Sequence, residues 1–596
     1  SSDVCSSDLS DLQLNMTIQD HNTIHPNVIQ DVSTEAPGIV AGELAAEDEG
    51  LLSNDALKTH TYGSVSTPET THYEIDDPNG GYALPKTQLY TVVSSLFMAS
   101  FLAALDGTVV TTLLTLIASE LHAVSNISWI ATAYLLSSAA FQPIFGKLSD
   151  IFGRKALLLG CSTLFAVGCT ICGAADSVLV LVIGRFVTGC GGSGLTSLGT
   201  ITMSDIIPLR DRGYYQGLAN IFFGLGAASG GAIGGLLADW LGWKYVFILQ
   251  VPLALSVFFA IYFFLNLPEG SPGLGMEGNV SEKLKRVDFL GSFFLVSSLM
   301  VFLSAASLGG REIAYSSFTF IGLIISAFAL LTAFVAVELY VSEEPILPIE
   351  LFANRTVLAS SLTNWFYTMS IFTTLFYVTI YYSSVIGLTP TENGLRLVPN
   401  FFGVSFGSVG AGIYMKKTGR YYKLAVLAGI FAIFGIGKIV LLTPNIPTWQ
   451  QFLLLIPSGL GYSCILTVTL LALIAAAPLK YQACTTSIQY TFRSTGSTLG
   501  VSAATAVFQN VLLLQLTKKI NELVSDPREA AKIIAKALDS TEYVNEAPKY
   551  VREAIRASYD AGCKGAFGFA FATIVLGVIS SLFMREHVLH TSINRD

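Results

Sequence analysis

Charged residues are scarce in this sequence: Asp, Glu, Lys and Arg together make up only 13% of its 596 residues, whereas hydrophobic residues make up 52%. A soluble chain of this length could not bury so much apolar surface, because it has too few polar side chains to cover it. The composition therefore excludes an ordinary soluble protein and favours a protein embedded in the lipid bilayer.

Residues that build metal, disulfide or nucleotide sites are also few. The eight cysteines are mostly single and lie in apolar runs, and the seven scattered histidines do not supply the clusters of His, Cys and acidic residues that a metal site needs. No phosphate-binding loop of the Walker type occurs. The sequence therefore predicts no metal site, no cofactor and no enzyme activity. The net charge of -9 comes largely from the N-terminal tail and gives no reason to expect a nucleic-acid partner.

Apolar runs of membrane length follow one another from residue 88 onward. A window of roughly 20 residues per span predicts an all-α protein with fourteen transmembrane helices. The predicted spans are 89–116, 127–145, 156–175, 178–203, 213–238, 243–266, 288–308, 316–340, 357–381, 393–414, 422–443, 449–475, 484–513 and 563–584.

Lys and Arg are distributed unequally between the loops on the two sides of the membrane. With a cytosolic N-terminus, the short loops on the other side hold only Lys244 and Arg311, so the bias predicts that both termini are cytosolic. One long loop, 514–562, is then non-cytosolic. The loops predicted to be cytosolic hold Lys147, Arg154, Lys155, Arg210, Arg212, Lys283, Lys285, Arg286, Arg355, Lys416, Lys417, Arg420, Lys423 and Lys480.

Residues 1–87 have no apolar run and are rich in Ser, Thr, Asn, Asp and Glu, which predicts a disordered, acidic, cytosolic tail. Within it, Glu47 followed by Leu51 and Leu52 has the form of an acidic dileucine sorting signal, which a sorting adaptor would bind. A chance match in an acidic tail explains the same residues, and both interpretations stay open.

The ten residues Gly146–Lys155, GKLSDIFGRK, form a charged stretch between two apolar runs and predict a tight cytosolic turn. Gly146 and Gly153 permit sharp turns, and Asp150 can accept hydrogen bonds from Lys147 or from Arg154 and Lys155. This spacing, G-x-L-x-D-x-x-G-R-K, resembles the loop between helices 2 and 3 of the major facilitator superfamily of secondary transporters. The stretch is therefore a candidate cytosolic gating loop.

A degenerate copy of this motif, GAGIYMKKTGRYYK, occupies residues 410–423. The resemblance implies the major facilitator fold, with two six-helix halves and a binding cavity between them. Fourteen spans are typical of its drug:proton antiporter branch, which has two extra helices between the halves. The predicted layout is an N-terminal half at 88–270, a linker with two extra helices at 271–356, a C-terminal half at 357–585 and a short cytosolic tail at 586–596.

Two charged residues inside apolar runs are candidates for proton coupling and substrate binding, because charges are costly in a membrane. Asp106 lies in LAALDGTVVTTLLTLIASEL, and its L-D-x-T-V-V run matches the first-helix motif of the fourteen-span antiporters. Arg185, in LVIGRFVTGCGGSG, matches the fourth-helix motif, whose arginine is implicated in proton coupling. The alternatives are a buried structural carboxylate bonded to Thr108 or a neighbouring helix, and an arginine paired with Asp150 or Asp205.

The fifth span carries a glycine pattern that resembles the antiporter motif of exporters, in which the helix packs along its glycine face between the halves. An ordinary packing helix would have the same sequence. Its glycines are Gly226, Gly230, Gly231, Gly234 and Gly235.

Three further charges lie in or near predicted spans: Glu338, Lys438 and Arg493. Lys438 lies well inside the eleventh span. Arg493 lies near the cytosolic end of the thirteenth, where we expect its long side chain to reach the headgroups.

Over residues 88–585 the sequence most resembles fungal vacuolar basic amino acid transporters. The stretches that carry this resemblance are LDGTVVTT, NISWIATAYLLSSAAFQPIFGKLSDIFGRK and GLGAASGGAIGG. The resemblance implies proton-coupled antiport of Lys, Arg or His from the cytosol into the vacuole, across the vacuolar membrane. Two alternatives fit the same residues. One is a plasma-membrane exporter of amphipathic drugs or toxins, and the other is a transceptor that senses amino acids.

Overall fold

The computed structural model of the protein describes most of the chain from residue 84 onward. Nearly all of the predicted tail 1–87, including the candidate sorting signal Glu47, Leu51 and Leu52, lies outside the described residues. The described ranges are 84–121, 127–267, 271–310, 313–524, 526–539, 543–587 and 589.

Fourteen long helical segments, α1 to α14, make up most of this part of the chain, and two of them, α6 and α12, are each broken into two pieces. Shorter helices connect them, including Val280–Lys285, Glu350–Ala353 and Pro527–Asp539. The bounds are α1 Lys86–Glu120, α2 Ile127–Phe152, α3 Arg154–Gly173, α4 Val178–Ile206, α5 Leu209–Leu241, α6 Trp243–Ile248 and Gln250–Phe264, α7 Phe289–Leu308, α8 Phe318–Tyr340, α9 Arg355–Tyr381, α10 Pro390–Thr418, α11 Tyr422–Val440, α12 Thr448–Leu453 and Ile456–Ala476, α13 Gln482–Leu523, and α14 Lys549–Leu582.

Twelve of the segments in the described ranges are long and apolar enough to cross a membrane. The helices α2 and α10 have comparable lengths, 26 and 29 residues, but are not among these twelve. The protein is therefore a multi-pass helical membrane protein, as predicted. The count of fourteen spans stays a prediction.

The same helix contacts recur in α1–α6 and in α9–α14. In each set the first helix packs on the fifth, and the second and third pack on the fourth. The two sets meet reciprocally, since α5 packs on α10 and α2 packs on α13. Two six-helix halves related in this way match the predicted internal repeat. The inserted helices α7 and α8 pack on each other, and α7 also contacts α2 and α13.

The predicted turn at Gly146–Lys155 is mostly helical, which corrects the predicted loop. Helix α2 continues to Phe152, α3 starts at Arg154, and Gly153 alone separates them with a φ of 92°. A residue with a Cβ is strained at that angle, so one glycine is sufficient to break the helix. We call the end of the molecule that carries Lys147, Arg154 and Lys416 the basic end, and the other the opposite end.

The predicted loop 514–562 is also largely helical. Helix α13 continues to Leu523, α14 begins at Lys549, and Pro527–Asp539 forms a helix between them. Polar residues such as Lys518 and Lys519 end the apolar run but not the helix, because backbone hydrogen bonds do not depend on apolar side chains. Ala530, Ile533 and Ala537 of the intervening helix are buried, and it packs on α13.

The beginning of the predicted tail 586–596 is bonded to the C-terminal half. The Tyr421 hydroxyl donates to the carbonyl of Arg585 at 2.6 Å, and Glu586 accepts from the backbone N–H of Tyr421 at 2.7 Å. His587 lies 3.1 Å from the hydroxyl of Thr356. These residues therefore hold the end of α14 against the first residues of α9 and α11.

Candidate functional site

Asp106 on α1 and Arg185 on α4 form an ion pair. Arg185 Nη1 lies 2.6 Å from Asp106 Oδ2, and both side chains are completely buried, with exposed fractions of 1% and 0%. The sequence singled out each residue, and it offered Asp150 or Asp205 as alternative partners for Arg185. That alternative is wrong, because Arg185 pairs with Asp106. The alternative given for Asp106, a bond to a neighbouring helix, is present in this pair.

The pair lies among aromatic rings and is incompletely hydrogen-bonded. The guanidinium of Arg185 lies 4.4 Å from the ring centre of Tyr134 and 5.9 Å from that of Phe247. Asp106 Oδ1 and Arg185 Nε have no hydrogen-bond partner among the described residues. An ion pair with a free carboxylate oxygen in a low-dielectric site is stable only while both charges persist, so proton uptake by Asp106 would break it.

Tyr134 on α2 is the site residue that the sequence did not indicate. Its hydroxyl donates to the carbonyl of Ala103 on α1 at 2.9 Å. The ring therefore contacts both α1, which carries Asp106, and Arg185 of α4. Close approach of α2 to α4 requires Gly189, where a Cβ would lie 2.5 Å from the carbonyl oxygen of Tyr134. A tyrosine within an apolar run carries no signal that separates it from an ordinary core residue.

At the basic end, Arg154 is the centre of a second buried ion cluster. Its Nη1 lies 2.7 Å from Asp150, and its Nε donates to Asp205 at the end of α4 at 2.8 Å. Lys155 takes no part, since its Nζ donates instead to Asn266 at 2.7 Å. Lys147 pairs with Glu344, after α8, at 2.9 Å. Of the basic partners predicted for Asp150, therefore, only Arg154 is bonded to it.

This cluster extends into the C-terminal half. Asp205 Oδ1 accepts from Gln482 Nε2 at 3.2 Å, and Gln482 Oε1 accepts from Arg212 Nη1 at 3.0 Å. A cavity of about 10 Å³ beside Arg212 and Gln216 leaves room for about one water molecule. The two halves are thus joined by direct polar contacts at the basic end.

A second set of contacts joins α5 to α10 at the same end. Arg210 donates to the backbone carbonyls of Lys416 and Lys417 at 2.5 and 3.1 Å, and Lys416 lies 3.3 Å from Asp211. These lysines belong to the degenerate copy of the motif at 410–423. Both copies therefore close the basic end, each against the other half.

The glycine motif of α5 faces α1, which corrects the expectation that it packs between the halves. A Cβ on Gly226 would meet the carbonyl oxygen of Phe101, and one on Gly230 would meet the hydroxyl of Thr108. Gly234 also faces α1, at Val109, whereas a Cβ on Gly235 would meet none of the described atoms beyond its own turn of helix within 4 Å. These glycines allow α5 to approach the helix that carries Asp106.

The contact of α5 with the other half is made by glycines nearer the basic end. A Cβ on Gly217 would lie 2.9 Å from Val409 of α10, and Gly213 lies against Gly412. These two glycines were not part of the predicted motif.

Replacing Gly146 with Val should hold the basic end open. A Cβ there would lie 2.7 Å from the carbonyl oxygen of Ala483 and 2.6 Å from the hydroxyl of Ser487, both on α13. Overpacking of this kind costs about 1–3 kcal/mol, so we expect a thiol reagent to label buried Cys484 on the order of ten times faster. Gly160→Val is the matched control, because a Cβ at that position would meet no described atom beyond its own turn of helix within 4 Å. Equal labelling rates in the two variants would show that α2 does not close on α13.

The protein has two repeated halves, a buried ion pair inside one of them, and polar contacts between them that close one end. These features define a membrane protein of the secondary-transporter class. The chain belongs to the Major Facilitator Superfamily, and the sequence model of that family matches residues 96–501. The resemblance to this superfamily is therefore confirmed.

Two similar proteins from Schizosaccharomyces pombe have different described activities. The chain is 30% identical over 585 residues to the vacuolar membrane amino acid uptake transporter fnx2, covering 93% of this chain and 99% of that protein. It is 32% identical over 509 residues to the multidrug resistance protein fnx1, covering 85% and 94%. Among solved structures, the human organic anion transporter MFSD10 has a TM-score of 0.53 at 14% identity, covering 84% of this chain and 100% of that one. This last likeness shows the fold alone.

Proposed function

We propose that the protein is a proton-coupled antiporter that moves the basic amino acids Lys, Arg and His from the cytosol into the vacuole. The Asp106–Arg185 ion pair carries the proposal, because a buried carboxylate whose charge is held by one cation can exchange that cation for a proton. The amino acid uptake described for fnx2, a relative along almost the entire chain, supports the substrate class and the vacuolar membrane.

In this proposal the ion pair and the basic end act as two linked switches. Proton uptake by Asp106 from the opposite end frees Arg185 and loosens the packing of α1, α2 and α4. Those helices also lead to the cluster around Arg154, since Asp205 is on α4 and Asp150 is on α2. Opening of the basic end then admits substrate from the cytosol. Once the basic end is open, Asp106 gives its proton to the cytosol, and its carboxylate is then an anionic partner for a cationic substrate.

Drug efflux is the second candidate, and the multidrug resistance name of fnx1 favours it. It would use the same ion pair and the same basic-end contacts, with an amphipathic drug in place of the amino acid. An amino-acid-sensing transceptor is the third candidate and shares every residue described above.

Uptake by sealed vacuolar vesicles distinguishes the three candidates. Labelled arginine, lysine and histidine and a panel of fluorescent drugs are supplied with and without an inside-acid pH gradient. We expect the amino acids to accumulate only with the gradient, because protons leaving the lumen drive their entry. Accumulation of drugs without amino acids would support efflux instead, and binding of amino acids without flux would support a transceptor.

Replacing both Leu51 and Leu52 with Ala should redirect the protein from the vacuolar membrane to the cell surface. The candidate signal lies outside the described residues, so this expectation rests on its spacing alone. Fluorescence microscopy of the tagged chain measures the location, and Leu57→Ala, another tail leucine, is the control. A vacuolar location in both variants would remove the sorting adaptor as a partner.

A further inference from the structure

One face of α13 is directed at the N-terminal half. Tyr490, Arg493 and Ser494 share this face because they are three and four residues apart. The hydroxyl of Tyr490 lies 2.6 Å from that of Thr200 on α4, and Ser494 donates to Gln142 on α2 at 2.5 Å. The guanidinium of Arg493, between them, lies 5.1 Å from the ring centre of Phe223 on α5. Arg493 is therefore at the interface between the halves.

This position is deep in the molecule, so the expectation that Arg493 reaches the headgroups is wrong. Arg493 lies eleven residues after Gln482, the first residue of α13, which itself belongs to the closed basic end. At 1.5 Å per residue this is a distance of about 16 Å along the helix. A half-buried guanidinium at this depth, beside a ring of the other half, is a candidate for function.

Arg493 also differs from the buried arginines of the described chain in having no acceptor. Five N–H groups of a guanidinium need partners. Arg493 makes no hydrogen bond or ion pair with any described residue, and its guanidinium lies against the ring of Phe223. The buried arginines bonded to carboxylate, amide or carbonyl oxygens are Arg154, Arg185, Arg212 and Arg396.

We propose that Arg493 binds the carboxylate of the transported molecule. A guanidinium matches a carboxylate with two parallel hydrogen bonds, and such pairs are strong where water is scarce. The charge of Asp106 is already neutralised by Arg185, so Asp106 does not also neutralise Arg493. The proposal rests on the proposed function for the identity of that molecule, an amino acid. It adds that recognition uses the α-carboxylate, and that a purely cationic drug is repelled at this position.

Comparing arginine with agmatine tests this directly, because agmatine is arginine without its carboxylate. Gradient-driven uptake of both is measured in vesicles containing the wild-type chain, Arg493→Gln or Arg493→Lys, normalised to the amount of tagged protein. We expect Arg493→Gln to raise the KM for arginine about 10- to 100-fold, the effect of one charged hydrogen bond. Agmatine uptake should not fall, because agmatine has no carboxylate for Arg493 to bind and loses only a repulsive charge. Arg493→Lys should have an intermediate KM, because it keeps the charge but not the paired geometry.

Lys438→Gln is the matched control, since Lys438 is another cation in a membrane helix that lies near a ring, 5.4 Å from Phe434. It is exposed on α11 and should not change the ratio of arginine to agmatine uptake. The proposal is overturned if Arg493→Gln has the same KM for arginine, and the same ratio of arginine to agmatine uptake, as Lys438→Gln. Equal losses for arginine and agmatine also overturn it, because they indicate a structural role.

Failure of the proposed function gives a different result. A wild-type chain that transports drugs but no amino acid refutes that function alone. Arg493 is then tested with fluorescent drugs supplied as pairs of acid and methyl ester. If Arg493→Gln loses uptake of the acids and keeps uptake of the esters, carboxylate binding is supported. Equal changes in the uptake of acids and esters, or no change in either, overturn it.

Discussion

The double variant Asp106→Val with Arg185→Met should reach the membrane in near-normal amounts and show no uptake driven by a pH gradient. Replacing a buried ion pair with apolar residues of similar volume is often neutral for stability, so the fold should persist. Nothing in the variant can then exchange a proton at this site. Uptake of labelled arginine by vesicles, with tagged protein quantified by fluorescence, measures both expectations.

The single variant Asp106→Asn should behave differently from the double variant. It leaves the charge of Arg185 buried and unpaired, which costs about 3–5 kcal/mol, so less protein should be delivered. Normal delivery of the double variant without uptake, beside poor delivery of Asp106→Asn, would separate the role of the pair in coupling from its role in folding. A double variant whose uptake still follows the gradient at a near-normal rate would refute proton coupling at Asp106.

Arg154→Ala should be far more damaging than Lys155→Ala, although the two basic residues are adjacent. Removing Arg154 leaves the carboxylates of Asp150 and Asp205 without their cation, one of them fully buried, and costs about 3–5 kcal/mol. Lys155 donates to the exposed Asn266 and lies 5.7 Å from the ring centre of Tyr262, and its removal should change stability by less than about 0.5 kcal/mol. Thermal unfolding of the purified protein and vesicle uptake measure the two effects.

Arg154→Lys serves as the conservative variant in this series. A lysine keeps one charge but cannot reach two carboxylates and Ser149 in the geometry of a guanidinium, so we expect partial stability and partial uptake. Equal losses in Arg154→Ala and Lys155→Ala would contradict the ion cluster, and would indicate that the basic stretch acts only through its total charge.

Hydropathy and charge were sufficient to predict a multi-pass helical membrane protein and most span positions, whereas the two helices between the halves were predicted from the resemblance to the major facilitators. Hydropathy and charge failed at boundaries such as Phe152 and Leu523, where a helix continues into polar sequence. A helix in the membrane must satisfy its own backbone hydrogen bonds, so an apolar run of about 20 residues predicts a helix without further information. The end of the run, in contrast, marks the membrane boundary and not the end of the helix.

The sequence by itself determined that Asp106 and Arg185 are costly charges in a membrane, because that cost depends only on the residue and its apolar neighbours in the chain. Only the tertiary structure decided that they pair, that Arg154 and not Lys155 closes the basic end, and that Arg493 faces the other half. These outcomes depend on which helices are neighbours and on how each is rotated about its axis. Packing between residues far apart in the chain sets both, often through glycines such as Gly189 and Gly230.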